Sequence, residues 1–378
     1  MVEKLNSALA NIQKSGIREF TRMAKAVEGC MFLTLGEPDF NTPDCIKERA
    51  KADLDNNLTH YPENNGQAFL RKAISEFEGR HNGFDYSPEE IIVTIGATEA
   101  LFTALFGIIN PNDEVIVPVP GYVLYEQVIK LLRGTFVPLQ TGDTAFQITR
   151  ERLEAALTPN TKAIILTSPN NPTGCIYTPE TLDMIREVLR DKDIFIICDD
   201  VYGRLVYTKD YKSFASFREF RDRLLVVQSF AKPYAMTGWR VGYLMADLPV
   251  KQKIETIHQY MVVSAASFIQ NACVEALDYD PSPMLEIYRK RRDYVYGRIV
   301  DMGLKVNKPE GAFYIFPDIS SFGLDSMTFS TRLLHEGKLA VAPGIAFGAD
   351  NCVRISYCYS DEELKEGMDR LQNFIKSL

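Results

Sequence analysis

Lys232 is the residue whose type and position point most directly to covalent chemistry. It lies in the segment SFAKPYAMTGWRVGY, residues 229–243, and it follows an apolar run that is typical of a buried strand. An apolar pocket makes a lysine lose its proton more easily, and the neutral amine can then form a Schiff base with a carbonyl compound. Most lysines are ordinary surface residues, so this interpretation needs support from other positions.

Asp199 is a second candidate, because it ends another apolar run and is followed by Asp200 and Tyr202. A carboxylate that is buried without a partner is energetically costly, so Asp199 is expected to meet a cation or a protonated ring nitrogen. The alternative is that Asp199 only caps the next helix. Taken singly, the residue does not decide between the two.

The segment GATEAL is a candidate phosphate site. Gly96 permits a tight turn after a strand-like run, and Ala97 and Thr98 begin a helical pattern. The free N–H groups and the positive dipole end of a helix N-terminus attract phosphate. Many strand-to-helix turns have a similar composition, so this motif is weak evidence when it stands alone.

These candidates follow short β-branched runs that alternate with helical stretches between about residues 45 and 275. The runs are residues 91–95, 114–118, 135–139, 162–167, 194–198, 224–229 and 241–245. Several are apolar almost throughout, as expected of strands that are covered on both faces, and the intervening lengths suit helical crossovers. The pattern predicts an α/β fold with a mostly parallel, doubly wound, seven-stranded sheet. Ligands of such a sheet bind at the carboxyl ends of its strands.

The architecture is expected to change at DYDPSP, residues 278–283. A long helix is predicted over residues 284–302, followed by a smaller α+β region. Its predicted strands are residues 312–316, 339–342 and 352–357, and its predicted helices are residues 326–335 and 361–377. We therefore predict a large domain at residues 46–277 and a small domain formed by residues 1–45 and 278–378.

The composition disfavours several classes of function. A net charge of −8 argues against a nucleic-acid partner, and the basic run at residues 289–292 is interpreted as a solvated helix face. The seven cysteines have no CxxC pair and the four histidines have no metal-ligand spacing, so neither disulfides nor a metal site is predicted. The chain begins without a signal-peptide pattern, and no apolar run is long enough to span a membrane. These features predict a cytoplasmic protein.

Taken together, the motifs resemble the class I and II aminotransferases of fold type I, which depend on pyridoxal phosphate (PLP). The resemblance covers nearly the whole chain, with the motifs in the family's order and at similar spacing. Its most specific part is SPNNPTG at residues 168–174, then Asp-x-x-Tyr, then the lysine with TGWR, then a late VRxS. The other matching motifs are GEPDF, HYPENNGQ, GATEAL, PGYVLY and PEGAFY.

The resemblance implies a role for each matching residue. Lys232 would carry PLP as a Schiff base and move the substrate's proton, while Asp199 would pair with the pyridine nitrogen. The remaining implied cofactor ligands are Tyr202 and Asn171 at the phenolic oxygen, Tyr122 on the ring face, and Ala97, Thr98, Ser229 and Arg240 at the phosphate. Tyr61 would reach that phosphate from the other subunit of a homodimer, although its loop could equally place it on its own domain. Arg354 would bind the substrate α-carboxylate, helped by Asn171 and the backbone of Gly36, unless it forms a structural ion pair instead.

The implied activity is transfer of an amino group from an L-amino acid to a 2-oxo acid, with 2-oxoglutarate as the expected acceptor. A PLP-dependent C–S β-lyase or a cyclase-type enzyme of the same fold is an alternative, because these enzymes share the lysine, aspartate and arginine. A ligand-sensing transcription regulator would need a DNA-binding domain ahead of the fold, and the sequence is not expected to have room for one. Thr98 stands where aspartate-specific relatives can carry a lysine, which favours aromatic, aliphatic or broadly accepted donors. Arg18 could supply the missing charge.

Overall fold

The computed structural model describes residues 1, 4–12, 16–209 and 211–378, without the side chain of Arg18. The strands within these residues are β1 Met31–Phe32, β2 Ile91–Thr94, β3 Glu114–Val119, β4 Thr135–Gln140, β5 Thr161–Thr167, β6 Phe195–Asp199, β7 Leu224–Ser229, β8 Gly242–Ala246, β9 Tyr314–Ile315, β10 Leu339–Ala340, β11 Ala342–Pro343 and β12 Val353–Ser356. The α-helices are α1 Gly16–Lys25, α2 Asp44–Asp55, α3 Ala68–Asn82, α4 Gly96–Ile108, α5 Leu124–Leu131, α6 Arg150–Ala156, α7 Pro179–Leu189, α8 Leu248–Val262, α9 Gln270–Asp278, α10 Ser282–Asp301, α11 Ser326–Glu336 and α12 Asp361–Ser377.

Strands β2 to β8 form one sheet of seven strands in the order β2-β8-β7-β6-β5-β3-β4. All neighbouring pairs are parallel except those of β8, which is antiparallel to both β2 and β7. The seven predicted runs differ from the observed strands by at most one residue at either end. The predicted α/β fold with a mostly parallel doubly wound sheet is therefore confirmed.

The sheet is covered on both faces, as its apolar strands predicted. Along β5, Ile164 and Leu166 belong to the core on one face, whereas Ala163 and Ile165 belong to the core on the other. Alternate side chains of a strand point to opposite faces, so a strand between two cores must be apolar throughout. The polar residues that remain are then displaced to the strand ends, where the candidate site residues lie.

A third apolar core lies mainly under the strands and helices that follow α9. Strands β11, β12 and β9 form a small antiparallel sheet, while β1 pairs in parallel with β10. This pairing brings the N-terminal segment to the C-terminal part of the chain. It is compatible with the grouping of residues 1–45 and 278–378, although the division into those two domains stays a prediction. The predicted strands 312–316 and 339–342 are shorter than expected or interrupted.

The expectation of a solvated basic face at residues 289–292 is wrong for two of its four members. Arg289 is exposed, but Arg292 is buried and donates to the carbonyl oxygen of Pro309 at 2.6 Å. Arg291, whose side chain is only 10% exposed, pairs with Asp39 and Asp361. These two arginines connect α10 to the segments that pack against it. A charge pattern alone does not distinguish such buried arginines from solvent-exposed ones.

No single helix in the described part of the chain is long and apolar enough to cross a membrane. Helix α8 and residues Ser267–Asp278 meet the length and composition requirement only as a pair, which is bent by 117°. All seven cysteines are free thiols.

Candidate active site

One cleft of about 1200 Å³ opens at the carboxyl edge of the large sheet. It collects side chains from loops that are far apart in the sequence, because parallel strands end at the same edge. The predicted site residues that line it are Gly36, Ala97, Thr98, Tyr122, Asn171, Asp199, Tyr202, Ser229, Lys232, Arg240 and Arg354. Tyr61 is the predicted site residue that does not line it.

Lys232 lies at the floor of this cleft, three residues after the end of β7. Its Nζ donates a hydrogen bond to the carbonyl oxygen of Gly36 at 2.6 Å and lies 5.7 Å from the centre of the Phe313 ring. Burial disfavours the charged ammonium and lowers the pKa of Lys232 to about 8. At pH 7 about one molecule in ten then carries the neutral amine that a nucleophile or base requires.

Asp199 ends β6 and is buried behind the cleft. Its carboxylate accepts a hydrogen bond from the Tyr125 hydroxyl at 2.5 Å and a longer one, 3.4 Å, from the amide of Val201. Burial raises the pKa of Asp199 to about 6, although these two hydrogen bonds favour the ionised form. Both partners are uncharged, so a protonated ring nitrogen would supply the positive charge that the buried carboxylate lacks. No helix begins within the described residues directly after Asp199, which disfavours the capping alternative.

The beginning of α4 and Arg240 form a positively polarised corner of the cleft. Gly96 has a φ of 75°, and a Cβ atom there would lie 2.5 Å from Nη2 of Arg240. A side chain at position 96 would therefore push the guanidinium away from the N–H groups of the first helical turn. Ala97 and Thr98 lie in that turn, beside Ser229, and together these groups suit a phosphate.

Arg354 on β12 is buried among uncharged partners. Its Nη1 and Nη2 donate to Asn171 Oδ1 at 2.9 Å and to the carbonyl oxygen of Thr34 at 2.6 Å, while Nε has no partner among the described residues. The guanidinium lies over the ring of Tyr314, 4.4 Å from its centre. Neither partner is acidic, so these contacts do not form the structural ion pair that was the alternative from the sequence. A guanidinium that lines the cleft and has only uncharged partners is suited to bind a carboxylate.

Gly36 and Tyr202 meet at Tyr314. A Cβ atom at Gly36 would lie 1.9 Å from the Tyr314 hydroxyl, so this position accepts only glycine without rearrangement. The Tyr314 and Tyr202 hydroxyls are 2.8 Å apart, and burial raises the pKa of Tyr202 well above its usual value. Tyr202 therefore stays protonated and can donate a hydrogen bond.

Two residues of this site were missed from the sequence. Tyr125, which holds Asp199, and Tyr314, which contacts Gly36, both lie inside motifs that the sequence analysis recognised, but neither was given a role. Tyr125 follows Tyr122 by one helical turn, and the two rings pack edge to face with centres 5.8 Å apart. That spacing could have indicated that both tyrosines face the cleft.

Tyr61 has a side chain that is 89% exposed. It packs neither in the cleft nor on its own domain, so the alternative of an internally packed tyrosine does not hold.

Comparisons with known proteins point to one family. The model of the family described as aminotransferase class I and II matches residues 28–371. The chain is 41% identical to a probable N-acetyl-LL-diaminopimelate aminotransferase of Bacillus subtilis over 99% of this chain and 96% of that one. It is 39% identical to aromatic-amino-acid aminotransferase 2 of Thermococcus litoralis, with 98% of each chain covered.

A solved structure of an aspartate aminotransferase from Thermotoga maritima superposes with a TM-score of 0.95 at 36% identity, covering 98% of this chain and all of that one. The class I and II aminotransferases share the fold found here, and they act through PLP. Three features of the cleft fit that cofactor. They are the buried Lys232, the Asp199 carboxylate with only uncharged partners, and the start of α4 with Arg240, which suits a phosphate. The chain accordingly belongs to the class I and II aminotransferases and is a PLP-dependent enzyme of fold type I.

Proposed function

We propose that this aminotransferase moves the amino group of an aromatic, aliphatic or broadly defined L-amino acid to 2-oxoglutarate, rather than acting strictly on aspartate. The observation that carries amino-group transfer is the convergence, in one cleft, of a lysine with a lowered pKa and a buried arginine whose partners are uncharged. The first can handle the proton on the substrate's Cα, and the second can hold its α-carboxylate.

The residues divide the work by position. Bound PLP supplies an electron sink for the substrate's Cα. Lys232 would anchor it, and the neutral Nζ would take up the proton from the substrate's Cα and return it. Asp199 would keep a proton on the pyridine nitrogen, because positive charge beside the buried carboxylate favours its ionised form.

The remaining residues that line the cleft would orient cofactor and substrate. Arg240, Ser229 and the N–H groups of Ala97 and Thr98 would hold the phosphate, and Tyr122 would contact the ring. Tyr202 and Asn171 would donate to the phenolic oxygen. Arg354 would hold the substrate α-carboxylate, with help from Asn171 and the backbone of Gly36.

The outer part of the cleft supports the donor preference. Four described side chains that line it are cationic, and Arg22 is the one without a role above. Arg22 is 78% exposed and lies 3.4 Å from Glu19 of the same helix, so solvent and Glu19 both weaken any pull on a distal carboxylate. The apolar residues Ile17 and Leu35 line the same region. The side chain of Arg18, the cation considered from the sequence, lies outside the described residues.

We also propose a homodimer in which Tyr61 reaches the partner's cofactor phosphate. Tyr61 and Tyr260 are 89% and 84% exposed, and residues 58–64 and 260–267 adjoin each other, since Asn64 donates to the carbonyl oxygen of Val263 at 2.8 Å. Two almost bare aromatic rings on one surface suit an interface with a second copy. The cytoplasmic location, inferred from the cysteines and from the lack of signal-peptide and membrane-spanning patterns, stays a prediction.

The test is a panel of donors on the purified holoenzyme. Phenylalanine, leucine, aspartate and N-acetyl-LL-diaminopimelate are each paired with 2-oxoglutarate, oxaloacetate and pyruvate, and Lys232→Ala is the inactive control. We expect the highest kcat/KM for an aromatic or aliphatic donor with 2-oxoglutarate.

Arg22→Gln is the discriminating variant. We expect it to change kcat/KM for aspartate by less than about fivefold, as befits an exposed charge. A larger, aspartate-specific loss would show that Arg22 reads a distal carboxylate and would overturn the donor preference. Pyruvate formed from cysteine or cystathionine without an acceptor would instead favour the C–S β-lyase alternative.

A further inference from the structure

His258 of α8 is completely buried and joins two segments that are far apart in the sequence. Its Nδ1 lies 3.0 Å from Glu99 Oε1 on α4, and its Nε2 lies 2.7 Å from the carbonyl oxygen of Asn64. None of these residues lines the cleft, and none has a role in the reaction described above.

Both contacts of the imidazole require a proton. The carbonyl oxygen of Asn64 can only accept, so Nε2 carries a hydrogen. Glu99 already accepts from the amide of Ile95 and from the hydroxyl of Thr103, both at 2.8 Å. Nδ1 and Oε1 are both acceptors unless a proton lies between them, so the 3.0 Å contact also holds one. The imidazole is therefore a two-ended bridge.

One end of the bridge is the phosphate corner. Glu99 lies one helical turn after the start of α4, and its Oε2 accepts from Ile95, the residue directly before the helix. This hydrogen bond fixes the backbone where Gly96 turns and where Ala97 and Thr98 present their N–H groups.

The other end is the loop of residues 60–67, which carries Tyr61. Asn64 is three residues beyond Tyr61, and the same loop is held by the bond of Asn65 Nδ2 to Glu255 of α8 at 2.7 Å. The amide of Val93, in β2, donates to the carbonyl oxygen of Asn65 at 2.9 Å. The loop is thus fixed to its own subunit at its base, while the Tyr61 side chain projects outward.

We propose that His258 is a positioning residue. It connects the phosphate-binding helix α4 of its own subunit to Tyr61, the residue that this subunit contributes to the partner's active site. The inference rests on the proposed reach of Tyr61 across the dimer. His258 contacts neither cofactor nor substrate. It holds the backbone of Asn64 and thereby sets the position and direction of Tyr61.

The test separates the two ends of the bridge. The amide nitrogen of asparagine can replace Nδ1, and that of glutamine can replace Nε2, so His258→Asn keeps the bond to Glu99 and His258→Gln keeps the bond to Asn64. PLP affinity is measured by reconstitution of each apoenzyme, together with Tyr61→Phe and the double variant Tyr61→Phe/His258→Asn. We expect each single variant to bind PLP about tenfold more weakly, which is the size of one lost hydrogen bond.

The double variant is decisive. If His258 acts through Tyr61, the double variant binds PLP about as weakly as Tyr61→Phe alone. Losses that multiply to about a hundredfold, or unchanged affinity in both His258 variants, would overturn the inference while leaving the role of Tyr61 intact. Unchanged affinity in Tyr61→Phe would overturn both proposals.

Two further variants guard against a general loss of folding. Glu99→Gln can place an amide N–H against Nδ1 while its carbonyl accepts from Ile95, so it should keep near-normal PLP affinity, whereas Glu99→Ala should not. Ser326→Ala removes a buried hydroxyl that also bridges two segments, Asp350 and Ile345, but does not line the cleft. It should lower the melting temperature without changing PLP affinity. A Glu99→Gln enzyme as weak as Glu99→Ala would contradict the proton-bridged arrangement.

Discussion

Replacing Tyr125 with phenylalanine should change how Asp199 binds protons. The substitution keeps a buried ring and removes the hydroxyl that donates to Asp199 Oδ2 at 2.5 Å. The carboxylate then retains the 3.4 Å contact with the amide of Val201 as its remaining bond from the described chain. Because the lost bond favours the ionised form, its removal must raise the pKa of Asp199.

The size of the effect follows from the kind of bond. A hydrogen bond to a charged group contributes about 1.5 to 3 kcal/mol, and 1.36 kcal/mol corresponds to one pH unit. The pKa of Asp199 in the apoenzyme, about 6, should therefore rise by about 1 to 2 pH units in Tyr125→Phe. PLP binding needs the ionised carboxylate, so the variant should bind PLP poorly at pH 6 and recover at higher pH.

The assay is PLP affinity of the apoenzyme between pH 5.5 and about pH 9, with the carboxyl resonance of Asp199 followed by NMR. Tyr288→Phe is a matched control, because its hydroxyl is buried, has no hydrogen-bond partner in the described residues and does not line the cleft. The pH below which PLP affinity is lost should shift upward in Tyr125→Phe and stay unchanged in the control. An unshifted pH in Tyr125→Phe would refute the account of how Asp199 is held.

Three further outcomes follow from the site. Asp199→Asn should stabilise the apoenzyme at pH 7.5 while reducing transamination. The raised pKa of Asp199 means that the folded state binds more protons than the unfolded state between about pH 4 and 6, so the wild-type free energy of unfolding falls by up to about 3 kcal/mol as pH rises through that window. Denaturant unfolding at pH 7.5 would show whether the variant regains this free energy. Arg354→Lys should raise KM for the amino acid by about tenfold to a hundredfold in steady-state assays, because the fork geometry is lost; an unchanged KM would exclude it as the carboxylate ligand. Gly36→Ala should lower both the melting temperature and kcat, since Tyr314 must move; full activity would show that the hydroxyl shifts freely.

The large sheet could be predicted well because each buried strand must be apolar on both faces. Ile164 and Ile165 point to different cores, and no polar alternation was available to confuse the pattern. The lysine and its cleft partners were also predictable, since the strand ends fix their common location. Short strands such as β9 and β11 were predicted less well, because two residues carry too little periodicity to set their limits.

What the sequence did not reveal depends on contacts between distant segments. Arg291 and Arg292 have the same local pattern as exposed neighbours, and only their partners at Asp39 and Pro309 make them structural. Tyr125 likewise has no local signal for its bond with Asp199, 74 residues away in the chain. Burial and partner choice at such positions are tertiary properties, which no spacing rule contains.

The antiparallel strand β8 places two residues of the cleft on one short connection. Because β8 runs opposite to β7, its first residue lies at the same edge of the sheet as the last residue of β7. Lys232 and Arg240 therefore sit on one short link between hydrogen-bonded strands, whose Ser229 and Gly242 are paired. The relative position of the two cations is therefore set within one continuous segment rather than between separate loops. For protein engineering, residues 229–242 form a cassette that is best transplanted whole.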